Sequence, residues 1–253
     1  MEMGCDRLQH YRRNAALLMA AHPDDLALGA WAWVERHRGH LTVVYLTDGA
    51  PLDPRWRAPG FSSRAAYRER RRSEAEAAWR SHPWATLHFA PIADQQLSLN
   101  LPLAEQWLQT IAASRPPAII LAPAWEGGHP DHDAANLLAA RIAARFGSEV
   151  LEYALYTARR GIVVRQCFPE APDILEYLSP ALTAAKRAAL RAHASQWQTL
   201  LPFDPGRETI RPLPRHDYRR RPCPSPCVYE IWGWPCTADQ VAARCAAFLA
   251  TGS

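Results

Sequence analysis

Short unbroken apolar runs alternate along the chain with stretches of helical spacing. Residues 15–21, 41–46, 86–89 and 118–121 are apolar runs of strand length closed by polar or turn residues, the pattern of strands covered on both faces. Helical spacing fills the gaps at 26–38, from Ser62 or Ser63 to about 80, at 103–114 and at 131–146. Ser62 or Ser63 can cap the second of these helices, Gly39 and Gly147 stop the first and last, and Pro83 and Arg115-Pro116-Pro117 act as breakers. With 150–157 as a fifth strand, the order βαβαβαβαβ predicts an α/β fold, a Rossmann-like, mostly parallel doubly wound sheet.

After residue 158 the pattern loosens. Short strands are expected at 162–168 and 174–177, and a helix over 180–200 with Pro180 in its first turn. A Pro- and Arg-rich loop follows over 201–226, then a strand at 228–232 and a closing helix at 238–250. No linker divides the chain, so a single domain over 1–253 is expected, with a core at 15–157 and an α+β extension at 158–253 shaping the substrate site.

Composition narrows the class. The chain has 253 residues, and its 48% hydrophobic content supports a sizeable core and argues against disorder. A formal charge of +4 is mild, and Arg clusters at 64–72 and 211–221 supply much of it, as a solvated face or a patch for an anionic substrate. No interleaving of aromatic and basic residues points to nucleic acid. No apolar stretch approaches the roughly 20 residues of a membrane span, and the charged start at 1–13 lacks a signal-peptide pattern. The expectation is a cytoplasmic protein, with a peripheral place at a membrane surface left open. Of six cysteines, Cys223, Cys227 and Cys236 resemble part of a structural zinc site, but the wide spacing and dense proline favour free buried thiols.

Two stretches carry the chemistry. His22-Pro23-Asp24-Asp25 stands where the first strand meets its helix, and Gly128-His129-Pro130-Asp131-His132-Asp133 stands at the same kind of junction later on. Ligands bind at that edge of an open α/β sheet. His22 and Asp25, three apart, face one way once the helix begins, and Asp24 points elsewhere. A zinc hydrolase needs three protein ligands, a base for the attacking water and an acid for the departing amine. His22, Asp25 and one histidine of the second stretch can be ligands, leaving Asp24 as base and the other histidine as acid. Capping alone would explain either stretch by itself, but not both at one sheet edge.

At these residues the chain resembles the PIG-L/LmbE-like family of zinc-dependent N-acetylglucosamine deacetylases. The family motifs Ala-His-Pro-Asp-Asp and Gly-His-Pro-Asp-His stand unbroken at 21–25 and 128–132, and the likeness extends through Leu46-Thr47-Asp48-Gly49, Arg71-Arg72-Ser73-Glu74 and Asp94. The resemblance covers 15–150 well and the tail loosely. It implies His22, Asp25 and His132 as ligands of one Zn²⁺ or another divalent ion, Asp24 as general base, and His129 as the group that protonates the amine or steadies the oxyanion. It further implies that Asp131 orients His129 and that Arg71 and Asp94 contact the sugar. Two departures stand out: some members have a tyrosine where this chain has Gly127, and many have a glutamate where it has Leu26.

The implied partner is an N-acetylated amino-sugar conjugate. Trp56, Trp125, Trp232 and Trp234 could stack on a sugar, and Arg55, Arg57 and Arg64 could meet a phosphate or carboxylate on the aglycone. Two other readings compete. One is a non-haem iron oxygenase, since two histidines and a carboxylate also form a facial triad, although such triads usually sit on β-sandwich strands. The other is a non-catalytic sugar-binding module on the same fold, which leaves the acid and base groups without a role.

Overall fold

The computed structural model describes residues 14–168, 175–224 and 226–251. The expected lead-in with Cys5, and the first residue of the strand expected at 174–177, lie outside the described residues. The chain order runs β1 (Ala16–Ala20), α1 (Asp25–Gly29), α2 (Trp31–Arg36), β2 (Leu41–Tyr45), α3 (Arg64–Ala78), β3 (Ala85–Phe89), α4 (Leu101–Ser114), β4 (Ile119–Pro123), α5 (Pro130–Phe146) and β5 (Glu149–Tyr153). The tail adds β6 (Tyr156–Arg159), β7 (Ile162–Arg165), β8 (Leu175–Tyr177), α6 (Pro180–Ala192), α7 (Trp197–Leu200), β9 (Arg207–Pro212), α8 (Val228–Ile231) and α9 (Ala238–Thr251).

The central sheet has seven strands in the order β3-β2-β1-β4-β5-β9-β8. The first five are parallel, and β9 joins β5 and β8 in antiparallel register. From β1 the chain builds outward through β2 and β3, then returns to place β4 on the other side of β1. The carboxyl ends of β1 and β4 therefore border the crevice where strand order reverses, the place where such sheets bind ligands. Residues of β1 alternate between the two faces. Leu17 and Met19 pack with Leu108, Leu138 and Phe248 on one side, and Leu18 and Ala20 with Trp31, Ala75 and Ala189 on the other.

The helix expected at 180–200 breaks at His193 into α6 and α7, and the strand expected at 162–168 ends at Arg165. Four other departures from the sequence pattern have a local cause. The helix expected at 26–38 is cut into α1 and α2 at Ala30, whose φ of −148° and ψ of 18° are not helical. The strand expected at 150–157 leaves the sheet after Tyr153, because the buried carboxylate of Glu126 accepts the amides of Leu155 and Tyr156 at 2.8 and 3.0 Å. Tyr156 to Arg159 then pairs with β7 as a separate hairpin. Within the expected loop at 201–226 lies β9, which buries Glu208 against Lys186 at 3.1 Å. A buried ion pair is invisible to a search for apolar residues. The expected strand at 228–232 is the helical turn α8, where Glu230 accepts the Cys227 amide at 2.8 Å in a capping box.

Candidate active site

The first stretch folds back on itself as β1 ends. Thr47 holds the strand end, its amide and hydroxyl both donating to the Ala21 carbonyl, at 2.9 and 2.7 Å. The His22 amide donates to Asp25 Oδ2 at 2.8 Å, which turns Oδ1 toward the His22 ring, 3.5 Å from Nδ1. His132, in the first turn of α5, brings Nε2 to 3.4 Å from Asp25 Oδ1 and 3.3 Å from His22 Nδ1. Three ligand-type atoms thus form a nearly equilateral triangle. Tetrahedral coordination at about 2.0–2.1 Å places ligand atoms about 3.3–3.4 Å apart, so the triangle has the size of three corners of such a site. His22, Asp25 and His132 are 6, 3 and 1% exposed. This buried His–His–Asp cluster can hold a divalent ion. His129 also brings a ring nitrogen within 4.8 Å of those of His22 and His132, but both its nitrogens have other partners.

Those partners come from the loop after β3. Asp94 Oδ1 lies 3.1 Å from His22 Nε2 and 3.3 Å from His129 Nε2. The loop is held by Asp131, whose carboxylate accepts the amides of Gln95 and Leu97 at 2.6 and 2.9 Å. Gln95 sits at φ 69°, a conformation costly for a side chain of its kind. The Asp131 carboxylate does not hydrogen-bond His129, since the nearest approach is 3.9 Å. It is the Asp131 amide that orients His129, donating to Nδ1 at 3.0 Å and making His129 the N-cap of α5. In the neutral ring the proton is therefore on Nε2. Burial and the neighbouring His22 lower the His129 pKa, which favours that neutral form. At His22, burial opposes the charge, but Asp94 and Asp25 outweigh it and raise the pKa well above the ordinary value in the metal-free protein.

Asp24 is not part of the triangle but lines the same cleft. Its Oδ1 accepts from Arg71 Nη2 at 2.8 Å, in a pair buried on both sides. Burial would raise the Asp24 pKa, but Arg71 more than offsets this and lowers it. Arg71 reaches Asp24 over Gly49, at φ +62°, where an added Cβ would stand 2.7 Å from the guanidinium Nε. The Arg71 Nε and Nη1 are buried without hydrogen-bond partners among the described residues. Glu74, one turn further along α3, accepts the amide and hydroxyl of Ser195 at 2.8 and 2.7 Å. It thereby fixes the segment that brings Gln196, Gln198 and Thr199 to the site.

His22, Asp24, Asp25, His129 and His132 border one cleft of about 420 Å³, and so do Arg71 and Asp94, the two positions expected to meet a sugar; Asp131 and Glu74 stand behind it. Trp56, Trp232 and Trp234 line it too, with Trp234 edge-on to His129 at 4.6 Å. Trp125 instead packs against Tyr218 at 5.0 Å in the core. The arginines of the 50–63 region do not serve the cleft as expected. Arg55 pairs with Asp53, Arg57 donates to the carbonyls of Pro51 and Leu52, and Arg64 pairs with Asp48. Tyr156, Arg165 and Phe203 also line the cleft, and the sequence reading missed all three. Only the β6–β7 hairpin brings Tyr156 and Arg165 there, and no motif marks it. Cys223, Cys227, Cys236 and Cys245 are buried and form no disulfide among the described residues, the first two with sulfurs 2.8 Å apart. A larger, open hollow of about 1050 Å³ beside α2 and α6 contains His37, His40 and His82 but no such grouping of acid, base and metal-type ligands.

Comparison with known proteins places this geometry. The PIG-L family, described as GlcNAc-PI de-N-acetylase, matches residues 17–143, half of the chain. No curated protein sequence matches. Among solved structures, the N,N'-diacetylchitobiose deacetylase from Pyrococcus horikoshii is similar at 20% identity and a TM-score of 0.61, over 79% of this chain and 84% of its own. The pseudoaglycone deacetylase Dbv21 is similar at 21% identity and a TM-score of 0.59, over 75 and 84%. The 4-carboxy-2-hydroxymuconate hydratase GalB from Pseudomonas putida shares the fold at 17% identity and a TM-score of 0.52, over 80 and 98%. The fold thus serves more than one reaction, and the residues of the site must decide which.

Proposed function

The chain belongs to the PIG-L family of GlcNAc-PI de-N-acetylases, hydrolytic enzymes acting on amide bonds, and from that premise we propose that it removes the acetyl group of an N-acetylglucosamine-containing conjugate, using a zinc ion held by His22, Asp25 and His132. The observation that carries this reading is the triangle of His22 Nδ1, Asp25 Oδ1 and His132 Nε2 with Asp24 and His129 on the same cleft. Bound there, zinc would acidify a water molecule and polarise the acetamide oxygen.

The chain supplies the proton handling. Asp24 is kept ionised by Arg71 and has one carboxylate oxygen outside that pair, so it can take the proton of the attacking water. His129 offers its Nε2–H as a hydrogen bond to the oxyanion, the Asp131 amide holding the ring in that tautomer, and the proton that Asp24 takes from water is the one available to the departing amine. Asp131 acts further by holding the loop that carries Asp94. Asp94 has two uses. It orients His22 and His129, and its place on the cleft suits a sugar hydroxyl, as do the unpartnered Nε and Nη1 of Arg71. Trp56, Trp232 and Trp234 offer ring faces to the sugar or its aglycone, and Arg165 is the cation positioned for an anionic group.

The test is acetate release by zinc-loaded protein from free N-acetylglucosamine, chitobiose, a sugar–inositol and a sugar–phospholipid. A conjugate should be turned over faster than the free sugar, because binding of the remote part helps position the acetamide. Acetate from none of the four would reject the reading.

A further inference from the structure

Tyr156 is the first residue of β6, set in place by the same Glu126 carboxylate that bends the chain out of the sheet. Its ring is edge-on to His132, with centroids 5.4 Å apart, and is flanked by Trp232 at 5.7 Å and Phe203 at 6.2 Å. The residue is only 9% exposed and lines the cleft, and its hydroxyl is not among the buried polar atoms left without a partner, so the ring is buried while the hydroxyl opens on the cleft. Its contact with His132 and its place on the cleft shared with Asp24, Asp25 and Asp94 set it beside the metal-type cluster. Of the other donors of the site, His129 Nε2 faces Asp94 and Arg71 Nη2 faces Asp24, while Arg71 Nε and Nη1 have no partner among the described residues. On the His132 side, the uncommitted donor is Tyr156.

We propose that Tyr156 is a catalytic residue, its hydroxyl donating a hydrogen bond to the oxyanion that forms when water adds to the acetamide carbon. The inference rests on the deacetylase reading above. The phenol keeps its proton throughout. The carbonyl π electrons move onto oxygen as the C–O bond to water forms, and return to rebuild the carbonyl as the C–N bond breaks. The hydroxyl serves both directions by favouring the charge only while it exists. His132, Trp232 and Phe203 limit the swing of the ring, so the donor is in place before the charge develops.

Tyr156→Phe keeps the ring and removes the donor. The expected result is a fall in kcat of about 10²-fold with a KM change below about threefold, at unchanged zinc content. A phosphonamidate analogue of the tetrahedral intermediate, measured by calorimetry on zinc-loaded protein, should lose affinity by a similar factor. Equal affinity for the analogue in the two proteins, including none in either, overturns the proposal, and so does a loss of zinc that accounts for the loss of turnover. If the wild type releases acetate from no amino sugar, the deacetylase reading falls by itself, while the analogue comparison still decides whether Tyr156 recognises an oxyanion.

Discussion

Asp94 Oδ1 meets His22 Nε2 at 3.1 Å, on the edge of the imidazole away from the nitrogen that faces Asp25 and His132. A carboxylate there holds the proton on Nε2 and leaves the Nδ1 lone pair for a metal. Asp94→Ala should therefore weaken zinc binding by about 10–100-fold, as loss of a partner behind a ligand histidine does elsewhere. Competition with a chromophoric chelator measures this. Wild-type zinc affinity with a raised KM would restrict Asp94 to substrate contact.

The buried pair of Asp24 and Arg71 predicts a pH effect. Because Arg71 lowers the Asp24 pKa, Asp24 stays ionised, and able to act as base, to lower pH than an unpaired buried carboxylate would. In Arg71→Gln the acid limb of kcat/KM should move to higher pH at saturating zinc. Asp24→Asn should retain zinc and lose about 10²–10⁴ in turnover. An unmoved acid limb in Arg71→Gln would separate Asp24 from the ionisation that limits the reaction.

What the sequence revealed of this site follows from how local each part is. That His22 and Asp25 would meet a histidine of the second stretch was legible because each half lies within a few residues at a strand-to-helix junction, and parallel topology brings such junctions to one edge; the choice of His132 over His129 came from the family resemblance. The bond between the Asp131 carboxylate and the 95–97 loop was not, since it joins residues far apart in sequence through backbone amides, which any residue supplies. The same limit hid β9. Its alternating Arg207, Glu208 and Thr209 read as loop because the buried charge is matched by Lys186 from α6. Tyr156 and Arg165 sit on opposite strands of a hairpin, with their register fixed by pairing rather than by a motif.

Two histidines outside the ligand set govern acid stability. Burial pushes both His37 and His193 down to about 4, against the ordinary value near 6.5. The unfolded chain therefore takes up their protons first as pH falls. Their contribution is complete above about pH 6.5 and is lost progressively down to about 4, with a limiting slope of about 1.4 kcal/mol per pH unit for each histidine. Asp133, pushed up to about 7, and the raised Glu126 and His22 act in the opposite sense over the same range. The measure is therefore the difference between wild type and His193→Gln in denaturant titrations of the zinc-free protein between about pH 7.5 and 4.5, where the variant should lose less stability as pH falls. An unchanged pH slope in His193→Gln would mean that His193 is already charged in the fold.

Gly128 tests whether the second motif and the β6 hairpin act as one unit. A Cβ added there would lie 2.0 Å from the Tyr156 carbonyl oxygen and 3.1 Å from its ring Cδ2. Neither side can readily yield. The Tyr156 amide is held by Glu126 and the strand is paired with Arg165, while the adjoining His129 is fixed by the Asp131 amide. Gly128→Ala should destabilise the fold by about 1–3 kcal/mol, as overpacking does. It should also reduce turnover at temperatures where the variant remains fully folded, because His129 and Tyr156 are pushed apart. Gly147→Ala is the control. It lies at φ +70° with nothing within 4 Å of an added Cβ. It should cost about 1–2 kcal/mol of stability from backbone strain, and should leave the turnover of the folded protein unchanged. Equal turnover in the two variants, once both are folded, would show that the loop bearing His129 can shift from β6 without disturbing the site.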